Sequence, residues 1–242
     1  MEDTSLDARA QYQLAGPLRV GFHSGFLWVH TGKGNRSGVP SPDEVFPPSE
    51  IPGLAAQTWF IRTGGYLQFD YRDKPRGPRS GGNYYIHYTH YSDQRLHQHS
   101  YQQLETAVEQ YIPYFNKSRV IALRLGTNTT FAYNGQTVPF YLEPTLGGND
   151  LLRGFARYRF TDANSVLATA EHRWYVTPGL HAALFVEAGK VAPRGTLLNP
   201  GHLEYVGGIG LRFTLRDNVF MRIDNGWSRE GYRFIWTFSN MW

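Results

Sequence analysis

The sequence predicts an all-β protein, and within that class a transmembrane antiparallel β-barrel. Segments of strand length recur along the chain, and in each of them apolar residues alternate with polar ones. Short turns and longer polar loops connect these segments in alternation, which is typical of barrels that span outer membranes. Aromatic residues make up 15% of the chain and charged residues only 18%, a balance that argues against disorder and against a helical bundle.

The alternation predicts eleven strands. The last strand shows it best, because Phe234, Trp236 and Phe238 share one face and polar residues occupy the other. Trp242 extends the same aromatic face. In chain order, the predicted strands span 4–14, 17–31, 57–71, 80–92, 99–113, 118–130, 164–175, 179–189, 202–214, 218–227 and 231–242.

The connections between these strands differ in length on the two sides of the sheet. The short turns lie at 15–16, 73–80, 116–117, 177–178 and 216–217. The longer links lie at 32–56, 93–98, 131–163 and 190–201. Short turns at one end and longer loops at the other indicate a membrane barrel.

A soluble sandwich or a lipocalin-like barrel is the competing all-β interpretation, and its apolar face would point inward. Aromatic residues near strand ends match the interfacial girdle of a membrane barrel; they are Trp59, Tyr71, Trp174, Trp227, Trp236 and Trp242. The opposite face carries charges in mid-strand, namely Arg124, Glu171, Arg173, Glu187, Arg212, Arg222 and Asp224. Those charges fit both interpretations, but strand length and loop asymmetry favour the membrane barrel.

Several other classes are excluded or disfavoured. The chain has no cysteine, which removes disulfides and thiol chemistry, and no stretch has the length of a transmembrane helix. The net charge is +4, but the basic residues are scattered, so no nucleic-acid partner is expected. No nucleophile elbow or phosphate loop is present, and the nearby His87, His90, His97 and His99 lack a known ligand spacing. We therefore expect no enzymatic activity, no cofactor and no metal.

The link at 131–163 is unusual because it is long and partly apolar. It contains Arg153, Gly154 and Phe155, and one interpretation is a packed surface loop. The alternative is a loop that folds into a wide lumen and docks Arg153 against carboxylates on the wall. Glu171 and Glu187 lie on the polar faces of the next two strands and are the candidate partners. Gly154 would let the backbone turn tightly beside the arginine.

These segments resemble a known family. The stretch 146–155, the box Phe-Val-Glu-Ala-Gly at 185–189 and the aromatic C-terminal strand are similar to those of BamA/TamA-type outer-membrane assembly factors, the bacterial surface antigen family. Weaker matches lie at 69–75, 110–113 and 157–160, so that the resemblance covers about residues 57–242. The Arg-Gly-Phe loop is its most specific part.

The resemblance implies a barrel of about sixteen strands in the bacterial outer membrane, in most members preceded by periplasmic domains. It implies a role in inserting or translocating other proteins without a cofactor, with the terminal strand 231–242 as a gate that separates from the first strand so that a substrate strand can add to the opened edge. Phe234, Trp236, Phe238 and Trp242 of that strand also resemble the C-terminal signal by which such barrels are themselves recognised for insertion. The expected partners are the lipid bilayer, unfolded outer-membrane protein clients, and periplasmic proteins or lipoproteins. The family's inward arginine pairs with acidic residues, which here correspond to Glu171 and Glu187. The family's usual aspartate is replaced by the longer Glu187.

The strand count makes residues 1–242 an incomplete barrel domain. Eleven strands leave an open edge, and single-chain bacterial barrels have even numbers of strands. No signal peptide is evident at the start. We therefore expect the C-terminal part of a longer barrel, with its first strands and any periplasmic domains lying elsewhere. A passive porin or adhesin-like barrel, and a barrel that exports or displays another domain, remain alternatives.

Overall fold

The fold is described from a computed structural model of the chain. It covers residues 2–31, 38, 40, 42–47, 51–54, 57–116, 118–194, 201–215 and 218–238. Within this part of the chain, no helix has the length and apolar character needed to cross a membrane. The helical elements described are one short α-helix, Pro42–Val45, and one 3-10 turn, Phe140–Leu142.

The predicted all-β class and the eleven predicted strands are confirmed. The strands are β1 (Glu2–Ala15), β2 (Leu18–His30), β3 (Trp59–Asp70), β4 (Gly81–Asp93), β5 (Tyr101–Tyr114), β6 (Arg119–Ala132), β7 (Thr145–Leu146), β8 (Phe160–Thr161), β9 (Asn164–Thr177), β10 (Leu180–Ala192), β11 (Glu204–Leu215), β12 (Asn218–Ser228) and β13 (Gly231–Phe238). The short β7 and β8 pair with each other inside the long loop. They were not predicted, because two-residue strands leave no alternation in the sequence.

Eleven strands form one antiparallel sheet in the order β1–β6 followed by β9–β13. Each strand pairs with its neighbour in the chain, except that β6 pairs with β9 across the long loop. Within the described residues, β1 and β13 are the two edges of the sheet. This simple up-and-down order leaves one face of every strand for the interior and the other for the exterior.

The two faces of the sheet differ in polarity as the sequence predicts. On the outer face, Leu125, Val186 and Tyr205 are 49%, 60% and 63% exposed. On the inner face, polar and charged residues such as Glu109 and Glu187 are buried. An apolar exterior around a charged interior is the arrangement of a barrel whose solvent is lipid.

A β-bulge in β12 interrupts this alternation. Thr214 pairs with Val219 and Phe213 with Met221, so that Phe220 has no partner in β11. Val219 is consequently buried, whereas Phe220 is 45% exposed. Strict alternation along the sequence would place Val219 with Met221 on the apolar face, and the bulge accounts for the difference.

The long loop between β6 and β9 is the main source of apolar packing. Its first half contributes Val138 to a cluster with residues of β2, β3 and β5, including Leu27 and Phe60. Its second half contributes Leu152 and Phe155 to another cluster, against β9, β10 and β11. The loop therefore lies over the inner face of the sheet, and its backbone is held between two opposite parts of the wall.

Candidate functional site: a loop docked on the inner face of the barrel

The loop arginine predicted from the sequence is buried beside both predicted carboxylates. Arg153 donates from Nε to Glu187 Oε1 at 2.9 Å and from its backbone N–H to Glu187 Oε2 at 2.7 Å. Its Nη1 lies 3.2 Å from Glu171 Oε2. Glu187 therefore engages both the side chain and the backbone, and the extra methylene relative to aspartate does not prevent the pairing.

A third carboxylate completes the site. Arg153 Nη1 also lies 3.2 Å from Oδ2 of Asp224, which belongs to β12 and is fully buried. The aromatic ring of Phe185 lies under the guanidinium, with Cζ 3.4 Å from the ring centroid. The planar cation is thus held edge-on by three carboxylates and face-on by one ring, which fixes its orientation.

Electrostatics keep this arginine charged. Burial alone would lower the pKa of the Arg153 guanidinium, but the attraction of Glu171, Glu187 and Asp224 outweighs it and holds that pKa above its ordinary value. A buried charge without partners would be strongly destabilising. Glu171, Glu187, Asp224 and Phe185, here called the Arg153 seat, therefore stabilise the docked loop in one position. Withdrawal of the loop would cost free energy because it would break these contacts.

Further arginines of the inner face neutralise the same carboxylates. Arg212 Nη2 lies 2.9 Å from Glu171 Oε2, and its Nη1 lies 2.6 Å from Asp224 Oδ1. In the part of the chain that the structure describes, the cluster contains Arg153, Arg173, Arg212 and Arg222 and the carboxylates Glu171, Glu187, Asp224 and Asp150. The four positive and four negative groups of this cluster balance, so the cluster carries no net charge.

Gly154 and Phe155 anchor the loop by shape. Gly154 lies in the tight turn that the sequence predicts, which is closed by a hydrogen bond from the Phe155 N–H to the Leu152 oxygen at 2.9 Å. Its own backbone is not left-handed; among its neighbours that conformation belongs to Leu152, at φ 51°. Glycine is needed at 154 because an added Cβ would lie 2.8 Å from Ser228 Cβ. Phe155 is fully buried and packs edge-to-face on Phe160, with ring centroids 4.9 Å apart.

The docked loop also holds the edge of the sheet. Arg233 of β13 donates to the backbone oxygens of Phe155 and, at 3.3 Å, of Gly148. Ser228 Oγ, at the end of β12, donates to the Gly154 oxygen at 2.9 Å. Direct hydrogen bonds therefore connect the docked loop to the edge strand β13 and to the end of β12.

The predicted residues of the last strand lie on the outer face. Phe234, Trp236 and Phe238 are 65%, 65% and 63% exposed. Trp242, the remaining member of that set, lies outside the described residues. The structure does not bring these aromatic side chains to the Arg153 cluster; they form a separate surface on the opposite face of the sheet.

Several residues that contact the loop were not predicted as its partners. Asp224 and Arg222, which donates to the Asn149 oxygen of the loop at 2.5 Å, appeared in the sequence only as mid-strand charges. Arg233 was one of the unnamed polar residues of the last strand. The alternation along each strand places these side chains on the inner face, so their orientation could be predicted from the sequence. It did not reveal which of the inner charges the loop would reach, because that depends on the curvature of the sheet.

Comparison with known proteins agrees with this architecture. The Omp85 superfamily domain matches residues 22–215. The chain is also similar to the crystal structure of BamA from Haemophilus ducreyi lacking POTRA domains 1–3, at a TM-score of 0.72 and 14% sequence identity. That match covers 97% of this chain and 54% of the other, so this chain spans about half the length of the BamA structure. No curated protein matches the chain by sequence.

An antiparallel sheet with an apolar outer face, a charged inner face and an inward-docked loop defines an outer-membrane β-barrel of bacteria. The chain belongs to the Omp85 superfamily. The resemblance stated from the sequence and the outer-membrane location are thereby confirmed.

Proposed function

We propose that this protein assists the insertion or translocation of other proteins at the bacterial outer membrane. The observation that supports the proposal is the link between the docked loop and the edge strand, made by Arg233 and Ser228. A barrel that only conducts solutes has no need for a loop that controls a sheet edge. An assembly factor does, because its edge must open for a client.

The proposed mechanism is strand addition. An edge strand presents unpaired backbone N–H and C=O groups, which an incoming strand can pair with. In β13, the exposed outer aromatics such as Trp236 would lie toward lipid, and Arg233 would hold the inner side to the loop. Release of that contact would free the edge for a client strand. No cofactor is needed, because the template consists of backbone hydrogen bonds.

We further propose that the eleven-stranded sheet is part of a larger closed barrel. The bilayer does not tolerate unpaired backbone groups, so the edges β1 and β13 require partners. Additional strands would close the barrel, and periplasmic domains or lipoprotein partners would deliver clients to it. Unfolded outer-membrane proteins are the proposed clients.

The proposal is tested by replacing the loop arginine. We expect Arg153→Ala to reduce insertion of a barrel client into vesicles at least tenfold, and Arg153→Lys to restore it only in part, because lysine lacks the planar fork. Arg157→Ala is the matched control, since Arg157 belongs to the same loop but is exposed. Unchanged insertion by Arg153→Ala, together with altered ion conductance, would indicate a passive barrel instead.

A further inference from the structure

The connection between β3 and β4 crosses the short-turn end of the sheet. At its tip, an ideal Cβ on Gly77 would lie 2.7 Å from Cγ2 and 3.6 Å from Cβ of Val219, the second residue of β12. Five strands separate β4 from β12 in the sheet. At about 4.8 Å per strand, that distance is roughly 29 Å along the wall. The segment 71–80, here called the strap, therefore reaches across the interior and does not follow the wall.

The base of the strap is fixed to β3, β4 and β5. Asp73 accepts hydrogen bonds from the backbone N–H of Arg79 at 2.9 Å and of Ser80 at 3.2 Å. Its own N–H donates to the Ser80 oxygen at 3.1 Å, which closes the base. Arg72 lies on the inner face, paired with Asp70 at 2.9 Å and 3.7 Å from Glu109.

The tip of the strap fits the opposite wall by shape. Gly77 is left-handed, at φ 72°, and Pro78 is buried. The small gap behind the tip is lined by the ends of β6, β9, β10 and β11, including Trp174, His181 and Arg212. Pro75 and Pro78 stiffen the tip around Gly77, and the base is narrow, which is the construction expected of a hinged flap.

Arg212 borders both the strap and the loop site. On one side it lines the gap behind the tip, and on the other it pairs with Glu171 and Asp224, the carboxylates that hold Arg153. The charged cluster is therefore covered from the long-loop end by the docked loop and from the short-turn end by the strap.

We infer that the strap is a lid on the short-turn mouth of the barrel, closed in this structure and hinged at Asp73 and Ser80. Opening the lid admits water and ions to the charged cluster around Arg153. The lid is distinct from the proposed insertion activity, and its test does not measure insertion, so that either can fail alone.

A disulfide across the contact tests whether the lid moves. The chain contains no cysteine, and the 3.6 Å separation of the Cβ positions suits a disulfide, whose Cβ atoms are about 3.8 Å apart. In the full-length protein carrying Gly77→Cys and Val219→Cys, we expect oxidation to reduce channel openings in planar lipid bilayers at least tenfold and dithiothreitol to restore them. The control pair is Leu184→Cys with Ile209→Cys, which face each other across β10 and β11.

A shortened strap tests whether the lid closes the mouth. Replacing residues 74–78 by Asn-Gly keeps a turn between Asp73 and Arg79 but removes the tip. We expect a steady conductance several-fold above that of the unmodified protein, with the heat-modifiable mobility of the folded barrel retained. The inference is wrong if the locked and reduced proteins open equally often, or if the shortened strap leaves the conductance unchanged.

Discussion

Glu187 accepts two hydrogen bonds from Arg153, one from the side-chain Nε at 2.9 Å and one from the backbone N–H at 2.7 Å. A single carboxylate on β10 thus fixes both the direction of the arginine and the path of the loop that carries it. Because Glu187 is 3% exposed, neither hydrogen bond can be replaced by bulk water without moving the loop.

The first prediction concerns the charge of Glu187. Glu187→Gln keeps the size of the side chain but leaves Arg153 with less compensation, and removing one partner of a buried ion pair costs about 3–5 kcal/mol. We expect a loss of that order in the free energy of unfolding in urea, measured in lipid vesicles. Glu187→Asp, which keeps the charge, should lose less than half as much. Equal losses for the two variants would contradict the proposed role of the charge.

The second prediction concerns the close approach of the loop to β12. Gly154→Ala would place a methyl group 2.8 Å from Ser228 Cβ, so that the loop must shift. Overpacking of this kind costs about 1–3 kcal/mol. Gly207→Ala is the control, since nothing lies within 4 Å of its Cβ position. The measurement is the rate at which a protease cleaves the loop, and equal rates for both variants would refute the packing argument.

The third prediction concerns pH. Burial and then the nearby Asp162 raise the pKa of the Glu143 carboxyl, which lies in the long loop. A raised pKa means that the folded loop binds its proton more tightly than the unfolded chain, so this contribution to stability is present at low pH and is lost as the pH rises through the folded-state pKa. We expect Glu143→Gln to stabilise the loop at pH 7 relative to the unmodified protein.

This pH effect is checked by following loop cleavage between about pH 4 and 7. The difference between the unmodified protein and Glu143→Gln should grow toward pH 7 and vanish at the acidic end. A difference that is largest at acidic pH would have the wrong sign and would contradict the assignment.

The fourth prediction concerns the lipid-facing surface. Leu125 lies near the middle of β6 on the outer face, where arginine in a membrane barrel costs about 2–4 kcal/mol. Leu18 occupies the same face at the first position of β2, near the membrane boundary, where the cost falls to about 0–1 kcal/mol. The free energies of unfolding of Leu125→Arg and Leu18→Arg, measured in vesicles, should show this difference. Equal losses for the two variants would indicate that this surface contacts water and not lipid.

Much of the fold was predictable because period-two alternation runs through the long strands, with an interruption at the bulge in β12. The eleven strands follow from it, since the outer face must be apolar throughout. The bulge at Phe220 was not predictable because it depends on the register in which β11 and β12 pair. The short β7 and β8 were not predictable because two-residue strands leave no alternation in the sequence. The Arg-Gly-Phe motif at Arg153 indicated a docked loop. The alternation along the next two long strands indicated Glu171 and Glu187 as the partners of the arginine. Asp224, Arg222 and Arg233 reach the loop only because the sheet curls, which no local pattern encodes.

We propose that docking of Arg153 stabilises the edge strand β13. Hydrogen–deuterium exchange of the backbone amides in Gly231–Phe238 measures this most directly, with Arg153→Ala compared to the exposed-loop control Arg157→Ala. We expect exchange in β13 to accelerate at least tenfold in Arg153→Ala and to stay unchanged in the control. Faster exchange confined to the loop, with β13 unaffected, would contradict the claim.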